Sequence, residues 1–228
     1  MIHKLVHALV LLLIVGFSID AQQRNDAFIQ QRARSLEPYF VESANRYGID
    51  PRILRVLCYL ESRFRLDAVS PKGARGPMQF MPETAARYGL SNPHNPKAAI
   101  DAAARYFRDL LLRFDGGIHL AFAAYNAGEG TVEAFKNGHA LQLKNGRVIN
   151  AAQVITGGIP PYTETRNYVR LAMRLLRDKA LNRLASGDSI TDVSLHSTRD
   201  FTIDVSANEN DSRLNPRERR KWFFIEIQ

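Results

Sequence analysis

Apolar residues recur at helical spacing in stretch after stretch of this chain, punctuated by glycines and prolines, and that rhythm leaves room for little except packed helices. Periodicity and capping residues predict helices near 38–47, 51–63, 82–88, 96–114, 117–126, 130–136 and 163–184. Gly48, Gly89, Gly116 and Gly128 stand where C-terminal caps belong. The expected fold class is therefore all-α. One segment breaks the rhythm: Leu141-Gln-Leu-Lys-Asn145-Gly146-Arg-Val-Ile149 alternates around an Asn-Gly pair, the strongest short hairpin signal. It predicts a small β-hairpin flap, after which Gly157-Gly158-Ile-Pro160-Pro161-Tyr162 returns the chain to its last helix.

The second helix carries the chemistry. Asp50 is placed to cap it and Pro51 suits its first position. Leu54 and Leu57 mark its apolar face, and it closes with Glu61-Ser62-Arg63-Phe64. Glu61 thus sits in the last turn, where the negative end of the helix dipole disfavours a carboxylate. Apolar neighbours act in the same sense, so the expectation is a raised pKa, each unit of which represents about 1.36 kcal/mol. An isolated glutamate at a helix end is ordinarily a half-exposed surface group. The case for Glu61 therefore rests on what surrounds it.

A chain of 228 residues, 45% apolar, suits one ordinary domain with extensions and excludes disorder throughout. Residues 1–21 have the layout of a secretory signal peptide: His3 and Lys4, an apolar stretch from Leu9 to Phe17, then Ser18 to Ala21. The apolar run is too short for a comfortable membrane span. Cleavage after Ala21 and export to the periplasm are expected; an uncleaved N-terminal anchor is the alternative, and the leader is the only membrane contact foreseen. Residues 22–36 read as a lead-in, 37–185 as the folded domain and 186–228 as a C-terminal extension. Cys58 is the single cysteine, which excludes an intramolecular disulfide, and beside Leu54 on the helix face it reads as a small buried hydrophobe. The six histidines are scattered without metal-ligand spacing, so neither metal nor cofactor is expected.

The formal charge is +8. Residues 188–228 hold eight acidic against six basic residues, which leaves +10 on residues 22–187. A basic exported domain is attracted to anionic polymers at low salt, and cell-wall carbohydrate with acidic peptide stems is one such partner. Nucleic acid is not expected, because a leader is present and no aromatic-basic reading motif is.

Three blocks belong together: Glu61-Ser62-Arg-Phe with Ser70 and Gly76-Pro-Met-Gln79-Phe-Met-Pro82; Ala124-Tyr125-Asn126-Ala127-Gly128; and Ile159-Pro-Pro-Tyr162-Thr-Glu164-Thr165-Arg-Asn-Tyr168-Val169. In this order and spacing they resemble the soluble lytic transglycosylase (SLT) family, with its lysozyme-like helical fold, over about residues 37–180. Pro77 departs from the leucine that many members carry, and the flap between 137 and 158 is longer than the family's short Gly-rich link. The resemblance implies cleavage of the β-1,4 bond between N-acetylmuramic acid and N-acetylglucosamine in peptidoglycan glycan strands. It assigns Glu61 as the acid that protonates the bridging oxygen, a role worth about 10² to 10⁴ in rate for a positioned general acid.

A two-carboxylate glycosidase needs a second Asp or Glu across the groove, and no motif residue clearly offers one. Glu164 opens the last helix, where an acidic residue suits the dipole in any case. The family's solution, implied by the resemblance, is that the substrate's N-acetyl group stabilises the intermediate. Glu61 then acts as base on the C6 hydroxyl of the same muramic acid and a 1,6-anhydro sugar leaves, an intramolecular step with a large effective-molarity advantage. By the same resemblance Ser70 lies near Glu61, and Tyr168 hydrogen-bonds and orients it. Met78, Gln79, Tyr125, Asn126 and Glu164 line the sugar groove. Each also has a plain structural use: Ser70 as a turn residue, Met78 and Tyr125 as core, Asn126 as a cap, Tyr168 as helix packing.

Two alternatives stand beside this: a goose-type lysozyme-like hydrolase, with water replacing the C6 hydroxyl, and a non-catalytic peptidoglycan-binding component. The cluster Trp222-Phe223-Phe224 at the end of a charged tail suggests a tether to an envelope-spanning secretion or conjugation complex.

Overall fold

A computed structural model of the chain describes residues 2–178, with side chains from Arg24 onward. Its elements are α1 (Ile2–Tyr47), α2 (Pro51–Ser62), α3 (Pro82–Arg87), α4 (Pro96–Arg113), α5 (Ile118–Ala127), α6 (Glu129–Asn137), β1 (Leu141–Gln142), β2 (Val148–Ile149) and α7 (Thr163–Arg177). Among the described residues the chain is mainly helical with one two-stranded antiparallel sheet, as the sequence predicts.

α2 runs through the interior. Asp50 caps it, accepting from the Arg52 N–H at 2.8 Å, and Pro51 occupies its first turn. Ile53, Leu54, Val56, Leu57 and Cys58 are all essentially without exposed surface, and burying each of the larger ones is worth about 1.5–3 kcal/mol. Burial also pushes the Cys58 thiol far up, so it is the inert small hydrophobe expected. α5 forms the second buried layer through Leu120 to Ala124, and Phe122 meets Phe107 of α4 edge to face at 4.9 Å. α7 packs on both α2 and α5, which is how its Tyr168 reaches the end of α2.

The first helix differs from expectation. The periodicity predicts a helix near 38–47, yet α1 begins far upstream and Pro38 lies inside it. The reason is a burial stripe upstream: Ile29, Ala33, Leu36, Phe40 and Ala44 recur every three or four residues and enter the same core. That packing offsets the hydrogen bond Pro38 cannot make. α1 is also tied to its neighbours by charge, with Glu37 paired to Arg55 of α2, and Arg46 and Tyr47 both bonded to Asp101 of α4.

The flap forms where Asn145-Gly146 predicts it, with Leu141 opposite Ile149 and Gln142 opposite Val148. Its strands are only two residues long, so side chains hold it. Buried Asn150 donates from Nδ2 to the Ala134 and Val154 carbonyls at 2.8 and 3.0 Å and accepts from the Val154 N–H at 2.9 Å. The loop between α2 and α3 gains two isolated bridges, Val69 with Arg75 and Arg75 with Phe80. The C-terminal extension, the proposed tether and the last turns expected of the 163–184 helix lie outside the described residues. Among the described residues no helix is long and apolar enough to cross a membrane.

Candidate active site

Glu61 is the next-to-last residue of α2 and is partly buried. Burial pushes its carboxyl up to about 7 from the ordinary 4.5, the nearby charge of Glu164 pushes the same way, and a hydrogen bond from Tyr168 opposes both. That bond is short: the Tyr168 hydroxyl donates to Glu61 Oε1 at 2.6 Å. Tyr168 comes from the second turn of α7 and packs at 6.5 Å from the Phe122 ring, so two helices fix its direction. Its own hydroxyl is raised well above 10.0 by burial and by the Glu61 charge, so it stays a donor.

The helix must stop immediately after Glu61 to leave that carboxyl accessible, and Arg63 and Phe64 stop it by taking positive φ of 52° and 61°. Two successive non-glycine residues in the left-handed region are costly, about 1–2 kcal/mol each. Phe64 is compensated by burial, at 1% exposure, and by its N–H bond to the Cys58 carbonyl. Ser62 secures the turn from inside. Its buried hydroxyl donates to the Pro77 carbonyl at 2.8 Å and accepts from the Arg65 N–H at 3.1 Å. Pro77, the departure from the family pattern, is buried, and what the loop takes from it is its carbonyl.

Beyond Pro77 the loop passes behind the site. Gly76 has φ 76°, and a Cβ there would stand 1.8 Å from the Pro93 carbonyl oxygen, so nothing but glycine fits. Gln79 also has positive φ, 47°, with its amide donating to the Ala68 and Gly76 carbonyls at 3.2 and 2.9 Å. Such a held, strained residue points to function. Met78 has no exposed surface, and its carbonyl accepts from the Tyr125 hydroxyl at 2.9 Å. In this conformation its part is to hold Tyr125.

The other residues named from sequence fall at different distances from the acid. The Glu61 charge reaches Tyr125, whose hydroxyl is raised well above 10.0, chiefly by burial. Glu164 stands exposed in the first turn of α7, 4.0 Å from Lys72 of the loop. Ser70 is engaged locally, its hydroxyl accepting from the Ala74 N–H at 3.0 Å, which is the turn use foreseen for it. Asn126 is helical, one residue before the end of α5, instead of capping it; Gly128 is the cap.

Sequence reasoning missed the support behind Tyr125. Tyr106 of α4 lies against it at 5.2 Å and donates to Glu129 at 2.9 Å, and Glu129 also pairs with Arg87. Those residues sit on three different helices with no shared spacing, so no pattern announced them. Among the described residues no group of three or more His, Cys, Asp or Glu side chains is placed to hold a metal ion.

A glutamate whose carboxyl is pushed up to about 7 and oriented by a phenol is the arrangement that general-acid chemistry requires. Residues 38–145 match the family model described as the transglycosylase SLT domain, and over that part the chain is similar to the family. It is similar to the membrane-bound lytic murein transglycosylase F 1 of Alkalilimnicola ehrlichii, 36% identical over 138 residues that cover 58% of this chain and 27% of the relative. The matched part is thus about a quarter of that relative's length. The fold is shared with the 70 kDa soluble lytic transglycosylase of Escherichia coli, at a TM-score of 0.50 and 23% identity over 66% of this chain and 24% of that one. A complex of the 70 kDa soluble lytic transglycosylase with bulgecin A gives 0.50 and 25% over the same shares.

Proposed function

We propose that the chain is a peptidoglycan lytic transglycosylase that cuts the β-1,4 bond between N-acetylmuramic acid and N-acetylglucosamine and leaves 1,6-anhydro ends. The observation that carries this is the Tyr168–Glu61 pair: a carboxyl pushed up to about 7 and held at 2.6 Å by a phenol. The match to the SLT domain model and the names of the relatives support the substrate class.

Glu61, neutral at the start, protonates the bridging oxygen as the bond to the leaving sugar lengthens. The proton leaves Glu61 and the negative charge that remains is stabilised by the Tyr168 hydroxyl, which favours the ionised form. The substrate's N-acetyl group stabilises the sugar cation. Ionised Glu61 then removes the C6 hydroxyl proton as that oxygen closes on C1, and the acid is regenerated without water. No second carboxylate is required, and Glu164, exposed and facing Lys72, is fitted to a binding role. Gln79, Tyr125 and Asn126 contact the sugars, with Ser70 shaping the loop beside them. The protein works in the periplasm after export on residues 1–21, and residues 186–228 tether it to an envelope-spanning complex.

The test is a zymogram of wild type beside Glu61→Gln on peptidoglycan. Clearing by the wild type and its loss in the variant are expected. Equal clearing by both would overturn the assignment of Glu61.

A further inference from the structure

A cavity of about 490 Å³ opens beside Glu61, lined by residues of α1 and of the end of α2 and the turn after it. It is lined by Asn25, Ile29, Arg32, Leu60 and Glu61, and by Ser62, Arg63 and Arg65. Three guanidinium-bearing residues therefore share one cavity, and Glu61 is the only carboxylate residue among those that line it. Arg32 donates from Nε to the Phe28 carbonyl at 3.2 Å and Arg65 from Nε to the Ser62 carbonyl at 3.3 Å. These bonds aim the two side chains and leave their terminal nitrogens without a protein acceptor among the described residues. The Arg63 side chain makes no hydrogen bond or ion pair among the described residues, and its left-handed backbone turns it away from the course of α2. Like charges gathered without partners repel one another, which is tolerable where an anion completes the set. Buried Ile29 and half-buried Leu60 add an apolar patch to the same cavity.

We propose that this cavity is a specificity subsite for the carboxylate-bearing peptide stem of the substrate, with Arg32, Arg63 and Arg65 binding a stem carboxylate and Ile29 and Leu60 receiving its small aliphatic groups. The inference rests on the proposed transglycosylase activity and deepens it. The stem hangs from the same muramic acid whose glycosidic bond Glu61 attacks, so a cavity that shares Glu61 as a wall lies within the stem's reach. Guanidinium forks match a carboxylate in two parallel hydrogen bonds, which sorts a charged stem from a neutral one.

The experiment measures KM and kcat of the full-length protein on three soluble glycans: strands with free-carboxylate stems, strands with amidated stems, and strands stripped of peptide. Wild type, R63Q and R63Q/R65Q are compared. R63Q is the safeguard for folding, because the Arg63 side chain is exposed and the substitution keeps the backbone N–H that bonds the Tyr59 carbonyl. Wild type is expected to favour free-carboxylate stems by about tenfold in KM over both other glycans, the worth of one good charged hydrogen bond. In R63Q the preference shrinks, and in R63Q/R65Q the three KM values converge, with kcat little changed. Equal KM on all three glycans in wild type, or a variant that moves all three alike, would overturn the subsite while leaving the transglycosylase assignment intact. No cleavage of any glycan by wild type would overturn both.

Discussion

At Glu61 two opposing forces set one proton. Burial keeps the carboxyl neutral up to about pH 7, and the Tyr168 hydroxyl pulls the other way by favouring the carboxylate. Removing that hydroxyl in Tyr168→Phe therefore raises the Glu61 pKa further, so the alkaline limb of kcat/KM moves to higher pH while the rate falls about tenfold or more. A pH–rate profile that kept its limb would contradict the pairing. The same shift has a stability consequence. The folded carboxyl holds its proton to about pH 7, whereas the unfolded one releases it near 4.5, so the native state binds more protons between these values. Stability then falls as pH rises across that window, and above it the ionised buried group costs on the order of 3 kcal/mol. Glu61→Gln lifts that cost: its melting temperature should exceed the wild type's at pH 8 and converge with it below pH 4.5, as calorimetry at both values would show.

Elements hold the site by contacts that are far apart in sequence. Ser62 reaches a carbonyl fifteen residues on, and Tyr125 reaches one forty-seven residues back. This explains what could be read in advance and what could not. The Asp50-Pro51 start and the Asn145-Gly146 turn are local signals, and each marks its element where the structure has it. Glu61 was legible because a carboxylate closing an apolar helix is locally anomalous, and Tyr168 because the third block accompanies it. The role of Ser62, the Glu129–Tyr106 prop behind Tyr125 and the early start of α1 depend on packing partners that no window contains. Pro38 is accommodated inside α1 for the same reason, since the buried stripe from Ile29 to Ala44 outweighs the hydrogen bond a proline cannot make. The loop is the most sensitive element. Gly76→Ala must place a methyl group 1.8 Å from the Pro93 oxygen at φ 76°, so urea unfolding should show a loss of at least about 2 kcal/mol, with activity falling as Gln79 and Met78 shift. A neutral result would mean that the loop is free to move.

At the largest scale the chain is basic, with a formal charge of +8, and the proposed function has it present one acid to an acidic polymer. With +10 expected on residues 22–187, its affinity for intact peptidoglycan should weaken steeply as ionic strength rises from 10 to 150 mM, over which the screening length drops from about 30 Å to about 8 Å. A sedimentation assay with purified sacculi reads this directly, and salt-independent binding would remove charge from the description. Helices from both ends of the described chain meet at Glu61: α1 walls the arginine cavity and α7 brings Tyr168. In the proposed reaction Glu61 serves first as acid and then as base on the substrate's own C6 hydroxyl. The deciding measurement is mass analysis of products from peptidoglycan digested by wild type, with Glu61→Gln as control. Muramic ends lighter by one water than reducing ends, absent from the control, are predicted; reducing ends from the wild type would contradict it, because water would then have been the nucleophile.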